Sequence, residues 1–262
     1  MPSGSRTTAS EAPTAVLLPG LLSDRAVWAG PLEALEPRVQ CMVPEYGELD
    51  SLPMMAQRVL GHSPARFVLV GHSMGGRVAL EIVRTAAARV SALALLSTGY
   101  QPRAPMPEGA REERRRQTLL EIASSAGMRA MGRAWMRDMV MPARLADTAL
   151  IESILAMIER CPPGMYAAHT RALLARPDAT DVLRAIRCPT LVLCGREDTW
   201  SPLVRHEAMA RLIPHAQLAV VEACGHMSPM ERPTEVSAAL SKWIAASQVS
   251  ASQACRVRQP SW

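Results

Sequence analysis

Short apolar runs recur along the chain, and stretches with helical spacing separate them. Runs of roughly four to eight apolar residues are typical of strands that are buried on both faces of a parallel sheet. Because runs and helical stretches alternate, we predict an α/β fold: a mostly parallel sheet covered by helices on both faces. The predicted strands are Ala15–Leu18, Val39–Val43, Phe67–Val70, Val90–Leu96, Thr190–Cys194 and Leu218–Val221.

The middle of the chain breaks this alternation. Residues 101–181 are rich in Arg, Met and Ala, have helical spacing throughout and contain no convincing strand. Breaks at "PRAPMPEG", "MPA" and "CPPG" predict three or four short helices. We interpret this region as an all-helical cap inserted into an α/β core that comprises residues 1–100 and 182–247. A last helix is predicted over Pro233–Ala246, and residues 248–262 are expected to form a flexible tail.

Composition limits the classes of function. Hydrophobic residues make up 48% of the 262 residues and charged residues 20%, which excludes a largely disordered chain. The formal net charge is +5, but the basic residues are scattered. Their one dense run, Arg111–Arg116, contains two glutamates and no aromatic residue, so we expect no nucleic-acid partner.

The N-terminal stretch "MPSGSRTTASEAPT" has no apolar segment of signal-peptide length, and no window approaches the roughly 18 apolar residues that a membrane span needs. We therefore expect a soluble, cytoplasmic protein without a membrane partner. The six cysteines form neither a CxxC pair nor a Cys/His metal spacing. Free thiols are accordingly expected, with no metal ion and no organic cofactor.

One serine stands where an apolar run ends and a helical pattern begins. The sequence "GHSMG", residues 71–75, fits G-x-S-x-G between the strand Phe67–Val70 and a helix predicted over Met74–Arg89. In such a nucleophile elbow the turn is too tight for a Cβ at either flank, and the serine is strained so that its hydroxyl is exposed. Ser73 is therefore a candidate nucleophile at a helix N-terminus, where free N–H groups can meet negative charge.

Two more polar residues follow other predicted strands, at the same carboxyl edge of the sheet. Asp198 lies after Thr190–Cys194, and His226 lies after Leu218–Val221. A serine hydroxyl needs a base to take its proton, and the base needs a carboxylate to hold its tautomer. We predict His226 and Asp198 for these roles. Glu197 is a weaker alternative to Asp198, which could instead cap the following helix.

The motifs "GHSMG", "GREDTWSP" and "GHMSPMERP", in the order Ser, Asp, His, resemble the α/β-hydrolase fold superfamily over roughly residues 14–246. The resemblance implies an oxyanion hole formed by two backbone N–H groups, one of them from Met74. Leu21 is the matching second donor, with Leu22 as the alternative. Pro19 stands where the family usually has a histidine, but a backbone amide does not depend on that side chain.

The resemblance implies a capped serine hydrolase, similar to carboxylesterases and enol-lactonases. It would cleave a small to medium carboxylic ester or lactone through an acyl-enzyme on Ser73. Hydrolysis or lysis of a carbon–carbon bond, and thioester hydrolysis, are alternatives on the same residues. A non-catalytic ligand-binding protein of the same fold is the alternative from another class.

The substrate pocket is expected to lie under the cap, because specificity in such folds resides in the elements that surround the site. Methionines are frequent in the cap region, where at helical spacing they are more often core filler than pocket lining. The predicted pocket residues are Leu22, Trp135, Met136 and Met139.

Overall fold

The computed structural model of the chain describes residues 12–256, with side chains as far as Gln248. Within these residues lies a six-stranded sheet in which every neighbouring pair of strands is parallel. Its strands are β1 (Thr14–Leu18), β2 (Gln40–Met42), β3 (Phe67–His72), β4 (Val90–Leu96), β5 (Thr190–Gly195) and β6 (Gln217–Val221). The order across the sheet is β2–β1–β3–β4–β5–β6. Every predicted strand is present, and no strand end is shifted by more than two residues.

Helices cover both faces of the sheet. On one face α1 packs against α10, which also contacts β4 and β6. On the other face α2 and α7 pack against α3, and α8 lies on β5 and β6. These helices are α1 (Ala29–Leu35), α2 (Leu52–His62), α3 (Met74–Ala86), α7 (Thr180–Ala185), α8 (Leu203–Leu212) and α10 (Pro233–Arg256), with the short α9 (Ser228–Glu231) before the last. The predicted fold class is confirmed.

The insertion between β4 and β5 forms a helical cap of α4 (Glu108–Met136), α5 (Thr148–Glu159) and α6 (Pro163–Leu174). Here the prediction of short helices is wrong in one respect, because α4 runs for 29 residues. It bends at Gly127, whose φ of 85° and ψ of 167° are not helical. No proline interrupts this stretch, so the chain bends at a glycine and continues.

The C-terminal end also differs from expectation. Helix α10 extends to Arg256, beyond the predicted end at Ala246 and into the predicted flexible tail. Neither glycine nor proline occurs between Ser247 and Arg256 to stop the helix. Residues 257–262 of the predicted tail lie outside the described residues.

The cysteines whose side chains are described are free thiols, as predicted: Cys41, Cys161, Cys188, Cys194 and Cys224. Cys255 lies outside the described side chains. Across residues 12–256, none of the helices combines the length and the apolar character needed to cross a membrane.

Helix α3 begins directly against the end of β1. A Cβ added to Gly75 would lie closer than 3.0 Å to the carbonyl oxygens of Leu18 and Pro19. Backbone atoms cannot move away as a flexible side chain can, so this contact requires a residue without a side chain. Gly75 therefore fixes how closely α3 and the nucleophile turn approach the first strand.

The substitution Gly75→Ala should lower the free energy of unfolding by about 3 kcal/mol, because the new methyl group forces α3 away from β1. The matched control is Gly61→Ala in α2, where an added Cβ meets nothing within 4 Å. That control should be neutral or stabilising by up to about 1 kcal/mol. Urea unfolding of both variants tests the comparison, and equal midpoints would contradict it.

Candidate active site

Ser73 occupies the turn between β3 and α3 with a strained backbone, at φ 53° and ψ −116°. Positive φ is unusual for a residue with a side chain and persists only where neighbours enforce it. Here the Ser73 N–H donates to the Leu96 carbonyl at 2.9 Å, and the Ser73 carbonyl accepts from the Thr98 hydroxyl at 2.6 Å. The conformation holds the Ser73 hydroxyl at the carboxyl edge of the sheet.

The loops after β5 and β6 bring two buried polar side chains to this hydroxyl. His226 Nε2 lies 2.8 Å from Ser73 Oγ, and His226 Nδ1 lies 2.8 Å from Asp198 Oδ2. Both His226 and Asp198 are only 2% exposed, so water competes little for either contact. The structure thus brings together the three side chains that the sequence places on separate loops.

Asp198 also caps the turn that follows it, but the alternative prediction that it caps the following helix is wrong, because the N-cap residue of α8 is Pro202. Its Oδ1 accepts from the N–H groups of Trp200 at 3.0 Å and Ser201 at 2.7 Å, while Oδ2 faces His226. The two roles therefore coexist on different oxygens. The neighbouring Glu197 points elsewhere and accepts from the Cys224 N–H at 2.8 Å.

The loop that carries His226 is fixed through its backbone. The His226 N–H donates to the Met139 carbonyl at 2.8 Å, and His72 Nε2 donates to the His226 carbonyl at 2.9 Å. The buried carboxylate of Glu231 accepts from three further N–H groups, those of Met141, Gly225 and Met227, each at 3.0 Å. Burial raises the pKa of Glu231, while these donors act in the opposite direction. The imidazole is thereby held towards Ser73.

A cavity of about 500 Å³ opens over Ser73 and His226. Trp135 and Met139 from the cap line it, as do Leu21 and Met74. Leu22 and Met136 do not. Leu22 has a positive φ of 62° and is buried in the core, and Met136 follows Trp135 on α4, so its side chain points about 100° away around the helix.

Sequence reasoning missed several residues that shape the site. His206 on α8 accepts the Thr98 N–H on Nε2 at 3.0 Å, and its Nδ1–H donates to the Pro202 carbonyl at 3.2 Å. Trp200 lines the cavity beneath the guanidinium groups of Arg115 and Arg116, which lie 5.1 and 5.5 Å from its ring centre. No local pattern marks these contacts, except that Trp200 stands two residues after Asp198. Among the described residues, no cluster of three His, Cys, Asp or Glu side chains could hold a metal ion.

A parallel sheet, an inserted helical cap and a serine at a strained strand-to-helix turn together define the α/β-hydrolase class of enzymes. The model of the Alpha/beta hydrolase family matches residues 15–239, and the chain belongs to this family.

Known proteins of several kinds resemble the chain. A pimeloyl-[acyl-carrier protein] methyl ester esterase from Nitrosomonas europaea is 26% identical over 254 residues, covering 87% of this chain and 94% of that protein. The structure of a thermophilic esterase from Thermogutta terrifontis, with malate bound, superimposes with a TM-score of 0.81 at 30% identity and covers 90% of both chains. An enol-lactonase from Burkholderia xenovorans LB400 shares the fold, with a TM-score of 0.77 at 21% identity over 92% of this chain and 94% of that one.

Two buried histidines beside the site predict a loss of stability in acid. Burial lowers the pKa of His72 to about 3 and that of His206 to about 4, from 6.5 for an exposed imidazole. As the pH falls from about 6.5 towards 4, both imidazoles become protonated in the unfolded chain but stay neutral in the folded chain. Each one therefore destabilises the fold, by about 2 kcal/mol at pH 5.

The variant His206→Gln removes one of these groups while keeping an acceptor for the Thr98 N–H. Its free energy of unfolding in urea should fall between pH 7.5 and pH 5 by about 2 kcal/mol less than that of the wild type. A control at the exposed His62, His62→Gln, should keep the wild-type pH dependence. An identical slope for all three proteins would show that His206 is not held neutral.

Proposed function

We propose that the protein is a serine hydrolase that cleaves a small to medium carboxylic ester or lactone through an acyl-enzyme on Ser73. The observation that carries this proposal is the pair of 2.8 Å contacts through which His226 joins Ser73 Oγ to Asp198 Oδ2. A hydroxyl, an imidazole and a carboxylate in this order form the arrangement that activates a serine.

The contacts define the proton movements. Nδ1–H of His226 donates to Asp198, which leaves Nε2 free to accept the Ser73 proton as the oxygen attacks the ester carbonyl. The resulting imidazolium then returns this proton to the departing alcohol, and the acyl group stays on Ser73. A water molecule, deprotonated by the same nitrogen, then attacks the acyl-enzyme. As the bond between the acyl group and Ser73 Oγ breaks, the imidazolium returns this proton to Ser73 and the acid leaves. Asp198 stays ionised and stabilises the imidazolium in both halves.

The negative oxygen of the tetrahedral intermediate needs hydrogen-bond donors that point at it. The backbone N–H of Met74 is one such donor, since it begins α3 directly after Ser73. The second donor is the N–H of Leu21. Its support is the close approach of the preceding residue, because a Cβ added to Gly20 would lie 3.2 Å from the Ser73 Cβ.

The relatives support the ester chemistry, since two of those described above are named as esterases. The partner is accordingly a small-molecule ester or lactone that enters the 500 Å³ cavity. The free thiols favour a reducing compartment, and the cytoplasm is the proposed location.

The substitution Ser73→Ala should abolish hydrolysis of a p-nitrophenyl ester and covalent labelling by a fluorophosphonate, because both require the Ser73 oxygen. Ser125→Ala, on an exposed face of α4, serves as the control and should behave as the wild type. Mass spectrometry of the intact protein reads the label directly. Labelling that persists in Ser73→Ala would overturn the proposed nucleophile.

The substitution Asp198→Asn should lower kcat by about 10⁴-fold, because an amide favours the wrong tautomer of His226. The fluorophosphonate should react correspondingly slowly with this variant. A loss of less than tenfold would mean that Asp198 serves only to cap the Trp200 turn.

A further inference from the structure

The cavity over Ser73 has an excess of positive charge. Among the described residues that line it, five arginines face three carboxylates. The arginines are Arg77, Arg115, Arg116, Arg176 and Arg205, and the carboxylates are Glu108, Glu112 and Asp138. Charged groups that are taken out of water are normally paired, so the distribution of partners shows where charge is left over.

The carboxylates compensate only part of this cluster. Glu112 binds both Arg116 and Arg176, at 2.8 and 2.7 Å. Asp138 pairs with Arg115. Within residues 12–256, neither Arg77 nor Arg205 has a carboxylate within salt-bridge distance. Arg77 and Arg205 are therefore the arginines of this cluster that lack a directly bound carboxylate, and Glu112 and Asp198 act on them only from a greater distance.

The hydrogen bonds of Arg77 and Arg205 leave most of their donors unused. Arg77 Nη1 donates to the Gln101 carbonyl at 2.9 Å, and Arg205 Nη1 donates to the Trp200 carbonyl at 3.3 Å. A guanidinium has five N–H donors, and the described residues offer each of these two a single acceptor. Burial, together with the charges of Arg176 and Arg205, lowers the pKa of Arg77 to about 9.

The two guanidinium groups converge on one point. A Cβ added to Gly99 would lie 2.8 Å from Arg77 Nη2 and 3.6 Å from Arg205 Nη1, so both groups flank the space over this glycine. Two cations that approach each other in a half-buried cavity repel one another unless an anion lies between them. Paired guanidinium forks match the planar, two-oxygen geometry of a carboxylate.

This point lies close to the nucleophile. Arg77 lies in the first turn of α3, which begins directly after Ser73, and both residues line the same cavity. Gly99 follows Thr98, whose hydroxyl binds the Ser73 carbonyl at 2.6 Å. A substrate whose anionic group is held by the two arginines would therefore need only a short chain between that group and the carbonyl that Ser73 attacks.

We propose that the substrate is an ester whose acyl part ends in a carboxylate, and that Arg77 and Arg205 bind this second carboxylate over Gly99. This inference rests on the proposed ester hydrolysis and specifies the substrate class. The anion supplies the missing counter-charge, and it places the ester carbonyl against Ser73. Substrates of this class are half-esters of dicarboxylic acids.

The first test compares esters on the wild-type protein, so it requires no variant to fold. The substrates are the monomethyl and dimethyl esters of the same dicarboxylic acids, from succinic to suberic. The far end of the monoester is a free carboxylate, whereas the far end of the diester is a neutral methyl ester. At pH 8 the monoester of at least one chain length should show a kcat/KM at least about tenfold higher than its diester, through a lower KM. Equal values at every length would overturn this inference and leave ester hydrolysis intact. Failure to hydrolyse any ester would instead overturn the proposed function.

The second test uses Arg77→Gln, Arg205→Gln and the double variant. The ratio of kcat/KM for the monoester over the diester should fall about tenfold in each single variant and further in the double variant. Arg211→Gln, at an exposed position of the same helix as Arg205, is the control and should keep the wild-type ratio. The free dicarboxylate should inhibit the wild type competitively, and its inhibition constant should be about tenfold higher for the double variant. An unchanged ratio and unchanged inhibition in variants that melt like the wild type would overturn the assignment to these arginines.

Discussion

The strained backbone of Ser73 is the constraint on which the rest of the site depends. A residue with φ near +50° costs on the order of 1–3 kcal/mol, and the surrounding structure must offset this cost. At Ser73 the offset comes from the end of β4 and the residues just after it, because the Leu96 carbonyl accepts from the Ser73 N–H and the Thr98 hydroxyl donates to the Ser73 carbonyl. Gly75 contributes by letting α3 approach β1 closely. The central strands therefore set the position of the hydroxyl.

The polar groups at this edge form a closed ring of hydrogen bonds. Thr98 binds the Ser73 carbonyl, the Ser201 hydroxyl binds the Thr98 carbonyl at 2.6 Å, and the Ser201 N–H binds Asp198. Asp198 faces His226, and His226 returns to the Ser73 hydroxyl. Buried polar groups are costly unless each one has a partner, and within the ring each contact satisfies the next residue. The ring explains how Asp198 both caps a turn and faces the imidazole.

The strands, the fold class and the positions of Ser73, Asp198 and His226 could be predicted because each leaves a local signal. Buried parallel strands are continuous apolar runs, and the tight turn at "GHSMG" requires glycine. The remaining features depend on contacts between distant segments. His206 and Arg205 lie on a helix without an unusual sequence pattern, and only the folded chain shows that His206 contacts Thr98 and that Arg205 lines the cavity. The cap also depends on such contacts. Trp135 and Met136 are neighbours on α4, yet Trp135 lines the cavity and Met136 is buried in the core.

The Met139 carbonyl joins the segment after α4 to the backbone of His226, and Glu231 joins Met141 to the same loop. A hinge movement that lifted the entire helical insertion would break these links and release the imidazole from its orientation. Any opening of the cap that keeps His226 in its orientation must therefore leave residues 139–141 in place. In sequence this segment belongs to the insertion, yet in the structure it is part of the support for His226.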